Sequence, residues 1–320
     1  MPHALLFTGI DGVGKRTAAV RLAMAVNCVG YRVLKQPGGL SGKSNERPCG
    51  QCGPCSRIEE GTHPDIAVVL PDGGVIKIAQ IRHLCHILSM KPFEGDMRIA
   101  ILVDAHLMNP SAGNALLKML EEPPEQTLLI LTAGQSSDLL PTIVSRCQHI
   151  RFNPISRTSL SEALIQYHGF GMDEASTVAA LAGGSFSRAL AMKHSAWMSR
   201  RDWLIAELGR LDSSPLHVVL ALSEKLSKNR ETLSDVFEIM FCWFRDLLIV
   251  TRDPAKVMNL DRLDLVRQVS GRYTTNELIH SVNAIKTARA HVEAKTNVRL
   301  SMDHLLLLIR RQLCNRLTER

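Results

Sequence analysis

The stretch Ala4-Leu5-Leu6-Phe7-Thr8-Gly9-Ile10-Asp11-Gly12-Val13-Gly14-Lys15 passes from an apolar run through a glycine-rich turn into a helix-forming segment. The spacing G-x4-G-K between a strand and a helix is that of a phosphate-binding loop. Glycines let backbone N–H groups turn onto phosphate oxygens, the helix N-terminus adds partial positive charge, and Lys15 reaches the terminal phosphates. Gly9, Gly12, Gly14 and Lys15 are therefore candidate nucleotide-binding residues. The next residue should carry the hydroxyl that ligates Mg²⁺, but it is Arg16, with Thr17 one step later. One step on a helix turns a side chain by about 100°, so Thr17 is not an automatic substitute. A glycine-rich turn without a ligand stays open as the other reading.

The same alternation continues outward. Apolar strand-like runs fall at 4–8, 66–70, 98–104, 128–132 and 149–152, with helical patterns between them at 15–26, 77–89 and 110–122. The first helix places Ala18, Leu22 and Val26 on one face, the face expected to pack. Asn109 is a suitable N-cap before Pro110 at the first helical position, and Pro123-Pro124 enforces the stop. Strands written as continuous apolar runs and separated by helices imply a parallel sheet covered on both faces.

After Pro154 no strand pattern is found. Helical stretches are expected within 154–194, punctuated by Gly169–Gly171 and Gly183-Gly184. More follow at about 196–211, 215–227, 230–251, 263–269, 275–290 and 298–317. The apolar run Phe241 to Leu248 reads as a core helix, with an interface on part of its face as the other reading. At 320 residues the chain has room for two or three domains. Its 45% apolar and 22% charged content excludes disordered, collagen-like and disulfide-framework classes. The longest apolar runs are strand-length, so no membrane span is expected, and the absence of a signal-like start points to a cytoplasmic protein. A net charge of +7 admits an acidic partner such as DNA, but 4% aromatic content offers little for base stacking.

Four of eight cysteines cluster in sequence: Cys28, then Cys49, Cys52 and Cys55 as two overlapping C-x2-C steps on a turn rich in Gly and Pro. This spacing suits tetrahedral Zn²⁺, and four sulfurs close the shell, so the site would be structural. In a reducing compartment metal is favoured over disulfide, with a redox C-x2-C as the rival. His63 is close by but reads better as the lead-in to the next strand. Basic Lys35, Lys43, Arg47 and Arg57 surround the cluster with only Tyr31 as an aromatic, which is poor material for a nucleic-acid stripe.

The run 99–103 leads into Asp104, the arrangement that holds Mg²⁺ beside a phosphate loop. The following position, where an ATPase carries its water-polarising Glu, is Ala105. Glu121 and Glu122 do not repair this, since they stand about 18 Å along the next helix from its start.

Here the residues carry a resemblance. The run Asn114 to Pro124 (NALLKMLEEPP) followed by Ser145-Arg146-Cys147 resembles the signatures of bacterial DNA polymerase III clamp-loader subunits of the AAA+ class. The four-cysteine insertion after the phosphate-loop helix is similar to theirs. Gly61-Thr62-His63-Pro64-Asp65, Asp104-Ala105, Gly14-Lys15-Arg16 and the run Gly184 to Leu190 (GSFSRAL) resemble the delta-prime type rather than the gamma/tau motor. The likeness is dense over 4–190.

The resemblance implies a RecA-like AAA+ α/β domain over 1–153, with a four-cysteine zinc module at about 28–55. A helical lid over 154–195 and an all-α collar over 196–320 would follow. It implies a ring with gamma/tau and delta subunits that opens the sliding clamp and places it on primed DNA. In that family the Arg of Ser-Arg-Cys reaches the neighbour's ATP, which would make Arg146 a trans arginine finger. Otherwise Arg146 caps its own helix or pairs with a local carboxylate. The chain begins almost at the first strand, without the family's adenine-side segment, so either its start is misassigned or nucleotide contact is reduced; Arg16, Ala105 and Ser187 depart from the motor pattern. Together they imply a stator, with ATP and Mg²⁺ in its own site in doubt. Thr132 is placed to be a first sensor. The alternatives are an ATP-hydrolysing gamma/tau-like motor using Thr17, and a zinc-module DNA-binding protein with a vestigial nucleotide fold.

Overall fold

The computed structural model describes residues 2–30, 48–211, 213–294 and 296–314. Tyr31, Lys35, Lys43 and Arg47, and the end of the final helix beyond 314, lie outside the described residues. The chain divides into two compact units, Met1–Pro154 and Ile155–Arg320.

In the first unit, β1 (Ala4–Thr8) leads to α1 (Lys15–Asn27) and α2 (Gly53–Glu60), then β2 (Ile66–Val69) and α3 (Ile78–Leu88). The unit continues with β3 (Arg98–Leu102), α4 (Pro110–Glu121), β4 (Thr127–Ala133), α5 (Pro141–Val144) and β5 (Gln148–Arg151). The sheet is wholly parallel in the order β2-β3-β4-β1-β5, with Leu6 of β1 opposite Leu131 of β4 and His149 of β5. Side chains alternate between two cores. Ala4, Leu6, Ala100, Leu102, Leu129 and Leu131 pack with α3 and α4, while Leu5, Phe7, Ile99, Ile101, Leu128 and Ile130 pack with α1 and α2. Both faces being covered is why these strands read as unbroken apolar runs.

Local chemistry sets the helix ends. Asn109 accepts the N–H of Ala112 at 2.8 Å, with Pro110 at the first helical position. The buried stripe of α1 is Ala19, Ala23 and Met24, one residue round from the face expected, whereas Ala18, Leu22 and Val26 are half-buried. The small side chains at 19 and 23 are what let the helix backbone approach the sheet. Strand β3 stops at Leu102, and Asp104 lies beyond it in a left-handed turn with φ 53°.

Two buried polar residues latch the end of the sheet where the strands begin. Asp65 is 2% exposed and accepts the N–H groups of Phe93, Glu94 and Gly95 at 2.6–2.9 Å. Asn27 accepts the N–H groups of Asp96 and Met97 and donates to the Met97 carbonyl. The segment Gly61 to Asp65 is thus a structural clasp. Gly61 closes α2 in the left-handed conformation, and His63 Nδ1 accepts the Asp65 N–H.

The second unit is helical throughout its described residues: α6 (Arg157–His168), α7 (Met172–Leu181), α8 (Phe186–His194), α9 (Trp197–Leu208), α10 (Leu216–Ser227), α11 (Arg230–Ile249), α12 (Leu263–Ser270), α13 (Thr275–Glu293) and α14 (Val298–Cys314). A single core runs from Leu160 to Ile309, with α11 packed against α9, α10, α12 and α13. Phe237, Met240, Trp243, Phe244 and Leu247 bury that helix as its pattern implied. Asp246 is buried among them and accepts N–H groups from Met258 and Asn259, fastening the following loop. No helix among the described residues is long and apolar enough to cross a membrane.

Burial alone would raise the Asp65 carboxyl, but three backbone N–H groups and Arg98 outweigh it and hold it below the ordinary value. A depressed folded-state pKa gives stability that is full above the unfolded value near ~3.9 and is lost as pH falls through the folded value. Asp65→Asn is expected to cost about 2 kcal/mol at pH 7. Its deficit against wild type should shrink below about pH 4, as read by denaturant unfolding across pH.

Candidate nucleotide site, cysteine cluster and arginine

The glycine loop follows the C-terminal end of β1, flanked by the ends of β4 and β5. The Gly9 N–H donates to the Gly134 carbonyl at 3.1 Å, and the Phe152 N–H donates to the Thr8 carbonyl at 2.7 Å. Gly9, Gly12 and Gly14 all have positive φ, at 149°, 74° and 102°. A Cβ on Gly9 would lie 2.5 Å from the Phe152 carbonyl oxygen, so the backbone passes there only without a side chain.

Lys15 is buried, and its ammonium donates to the Gly9 carbonyl at 2.5 Å, the Ile10 carbonyl at 3.1 Å and Asp11 Oδ1 at 3.3 Å. The cation thus satisfies the carbonyls of its own loop. Arg16 and Thr17 are both exposed. Asp104 lies past β3, and its N–H donates to Thr132 Oγ1 at 3.0 Å, which ties the end of β3 to β4 through a buried hydroxyl. Ala105 is fully buried. Thr8 Oγ1 meets His149 Nε2 at 2.6 Å, a contact between β1 and β5 that sequence reading did not suggest.

The four cysteines converge. Cys28 Sγ lies 3.5 Å from Cys49 Sγ and 4.0 Å from Cys52 Sγ, and Cys49 Sγ lies 4.0 Å from Cys55 Sγ. All four sulfurs sit within 4.8 Å of one another. A tetrahedron with metal–sulfur bonds of about 2.3 Å has edges of about 3.8 Å, whereas a disulfide needs about 2.05 Å. The cluster can therefore hold a metal ion in a four-sulfur shell. Backbone makes it: Cys28 directly follows α1, and Cys52 and Cys55 sit at the start of α2, with Gly50 in the left-handed conformation just before them. N–H groups of Gln51 and Cys52 lower the Cys49 thiol to about 6, while burial pushes the Cys55 thiol up. His63 is not in the cluster; its Nε2 is 3.3 Å from Glu94.

Arg146 stands just past α5 with its side chain about one-third exposed. Nη2 donates to Glu121 Oε1 at 2.8 Å, and Nη1 to the Thr142 carbonyl at 2.9 Å and Ser145 Oγ at 3.3 Å. This is the local pairing left open by the sequence. Glu121 thus serves as the partner of Arg146. In the second unit Ser187 sits in the first turn of α8 beside Arg188, which forms an ion pair with Glu238 of α11.

Parallel strands in the order β2-β3-β4-β1-β5, a glycine loop after β1 and a carboxylate past β3 define the RecA-like class of nucleotide folds. Two family models match the chain: "DNA polymerase III, delta subunit" over residues 1–156, and "DNA polymerase III, delta subunit, C terminal" over 195–315. The DNA polymerase III subunit delta' of Bacillus subtilis is 28% identical over 97% of this chain and 91% of its own length. Subunit tau of the same organism is 26% identical over 92% of this chain but 54% of its own. A crystal structure of a gamma-subunit-related protein from Thermotoga maritima shares the fold, with a TM-score of 0.51 at 19% identity, covering 98% of this chain and 95% of that one. The chain belongs to the DNA polymerase III delta-prime subunit family.

Adding a methyl at Gly9 meets both the Phe152 carbonyl and a positive φ, whereas at Gly14 it meets a positive φ in open space. Gly9→Ala is expected to destabilise the first unit by about 2–3 kcal/mol and Gly14→Ala by about 1 kcal/mol. Differential scanning calorimetry should show the larger fall in midpoint for Gly9→Ala, by roughly 5 °C or more.

Proposed function

We propose that this chain is a cytoplasmic, delta-prime-type stator of the DNA polymerase III clamp loader. It assembles with gamma/tau and delta subunits and, through that complex, acts on the sliding clamp and primed DNA. Residues 154–195 serve as the lid and 196–320 as the collar that oligomerises. Arg146 is the trans arginine finger, completing the ATP site of an adjacent motor subunit.

The observation that carries this reading is a contrast between the two sites. The chain's own loop is closed on Lys15, Arg16 and Thr17 face solvent, and Ala105 is buried where a catalytic carboxylate would stand. Thr17 in solvent gives no support to the motor alternative. Arg146, by comparison, is held at the surface by one carboxylate and two hydrogen bonds from its own turn. An exposed ion pair of this kind contributes about 0–1 kcal/mol, so a neighbour's phosphates can displace Glu121 with little cost. A guanidinium offered to developing phosphoryl charge is worth about 10³–10⁵ in rate, or roughly 4–7 kcal/mol.

Cys28, Cys49, Cys52 and Cys55 hold one structural Zn²⁺. Their sulfur spacing supports this, and a closed four-sulfur shell leaves no position for substrate water. The ion joins the C-terminus of α1 to the N-terminus of α2, so it organises the surface of the first unit and takes no part in ATP chemistry.

Two measurements test this reading. ATP turnover by the reconstituted loader with clamp and primed DNA should fall by about 10³ or more with Arg146→Ala. Lys15→Ala should leave it within about twofold, and the isolated chain should be inert. Turnover by the isolated chain, with a silent Arg146→Ala, would overturn the stator reading. Elemental analysis should give one zinc per chain, reduced to near zero in Cys28→Ser/Cys55→Ser with a lower melting midpoint of the first unit.

A further inference from the structure

The second unit contains a cavity of about 450 Å³ between α9, α11 and α12 that the function above does not use. Ile205, Trp243, Leu265 and Val269 form an apolar wall, and three guanidiniums stand among its lining: Arg210, Arg262 and Arg272. The only carboxylate in the lining, Asp202, is already engaged on both oxygens. Its Oδ1 accepts from Arg201 at 2.7 and 3.0 Å, and its Oδ2 accepts from Arg262 at 3.1 Å. Arg262 is thereby held in place. The other two are not. The Arg272 guanidinium makes no hydrogen bond or ion pair with any described residue, and that of Arg210 approaches only Glu207, at 4.0 Å, beyond hydrogen-bond reach. Trp243 is 3% exposed, and its indole N–H likewise has no acceptor among the described residues.

Cations rich in donors but lacking acceptors, beside an apolar wall, suit an anion with a flat apolar body. The planar guanidinium fork matches phosphate oxygens, and the volume falls in the range of small-ligand sites. We propose that this cavity binds a nucleotide unit. Arg210 and Arg272 take the phosphate, Arg262 adds fixed positive charge, and the base lies on the Leu265–Val269 side of the wall. A free nucleoside monophosphate and one residue of a single DNA strand present the same chemistry.

The site is independent of the phosphate loop, and the test keeps them apart. Full-length chain carrying Lys15→Ala, with and without Arg210→Ala/Arg272→Ala, is titrated with AMP, inorganic phosphate and labelled oligo-dT. Calorimetry and fluorescence anisotropy read the binding. AMP or oligo-dT is expected to bind the Lys15→Ala chain, and the double substitution to weaken that binding tenfold or more. Both arginines are exposed, so the fold should be retained, and Arg210→Lys/Arg272→Lys should fall between the two. If the strand is the source, oligo-dT binds more tightly than AMP, and the double substitution lowers its salt slope by about one to one and a half. If the free nucleotide is the source, AMP binds and oligo-dT does not. Loss of all binding with Lys15→Ala, binding of phosphate alone, or indifference to the arginine pair would each overturn the proposal.

Discussion

Strand β1 is hydrogen-bonded on both edges, to β4 and β5, and where it ends decides where the chemistry sits. Because Phe152 continues the β5 edge past Thr8, the chain leaving β1 must pass directly under a carbonyl, and only glycine fits there. The positive φ of Gly12 and Gly14 then curls the loop back so that α1 starts at Lys15. With the loop in this shape, its inward carbonyls need a donor, and the Lys15 ammonium supplies it. Displacing that ammonium toward a phosphate would require the ligand to replace those bonds.

Helix α1 carries the consequences to the other end of the sheet. Its 13 residues span about 20 Å, from the phosphate loop at one end to Asn27 and Cys28 at the other. There Asn27 and Asp65 hold the segment 93–97 by five backbone N–H groups, and Arg57 of α2 grips Glu94 in the same segment. The cysteine cluster sits against this latch, with Cys28 and Cys55 buried in the core shared by α1 and β3. A metal bound there would tie the C-terminal end of α1 to the N-terminal end of α2.

The arginine and the loop show opposite states of completion within one unit. Lys15 is enclosed by its own backbone, while Arg146 is about one-third exposed and held by Glu121 and its own turn. Arg146 stays at the surface just past α5, and Lys15 is engaged internally.

Sequence by itself determined the order of the five strands and the longer helices, because the patterns are local, but it missed α2 and α5, which are too short for a helical period to show. Apolar runs mark strands buried on two faces, Asn109-Pro110 and Pro123-Pro124 bracket a helix, and glycines with left-handed φ mark turns. Three members of the cysteine set were legible because overlapping C-x2-C steps bring sulfurs together over a few residues of chain, whereas Cys28, 21 positions before Cys49, is brought to them by the fold. Tertiary structure alone decided what depends on distant partners. The packed face of α1 fell one residue from the expected stripe, because close approach to the sheet favours Ala19 and Ala23 over bulkier neighbours. Asp65, Asn27 and Asp246 look like ordinary polar residues until the backbone they bind is folded against them. Arg146 could not be assigned a partner before Glu121, 25 positions away, was placed beside it. Charge and hydrogen-bond partners across such separations are set by the fold, and no periodicity in the chain encodes them.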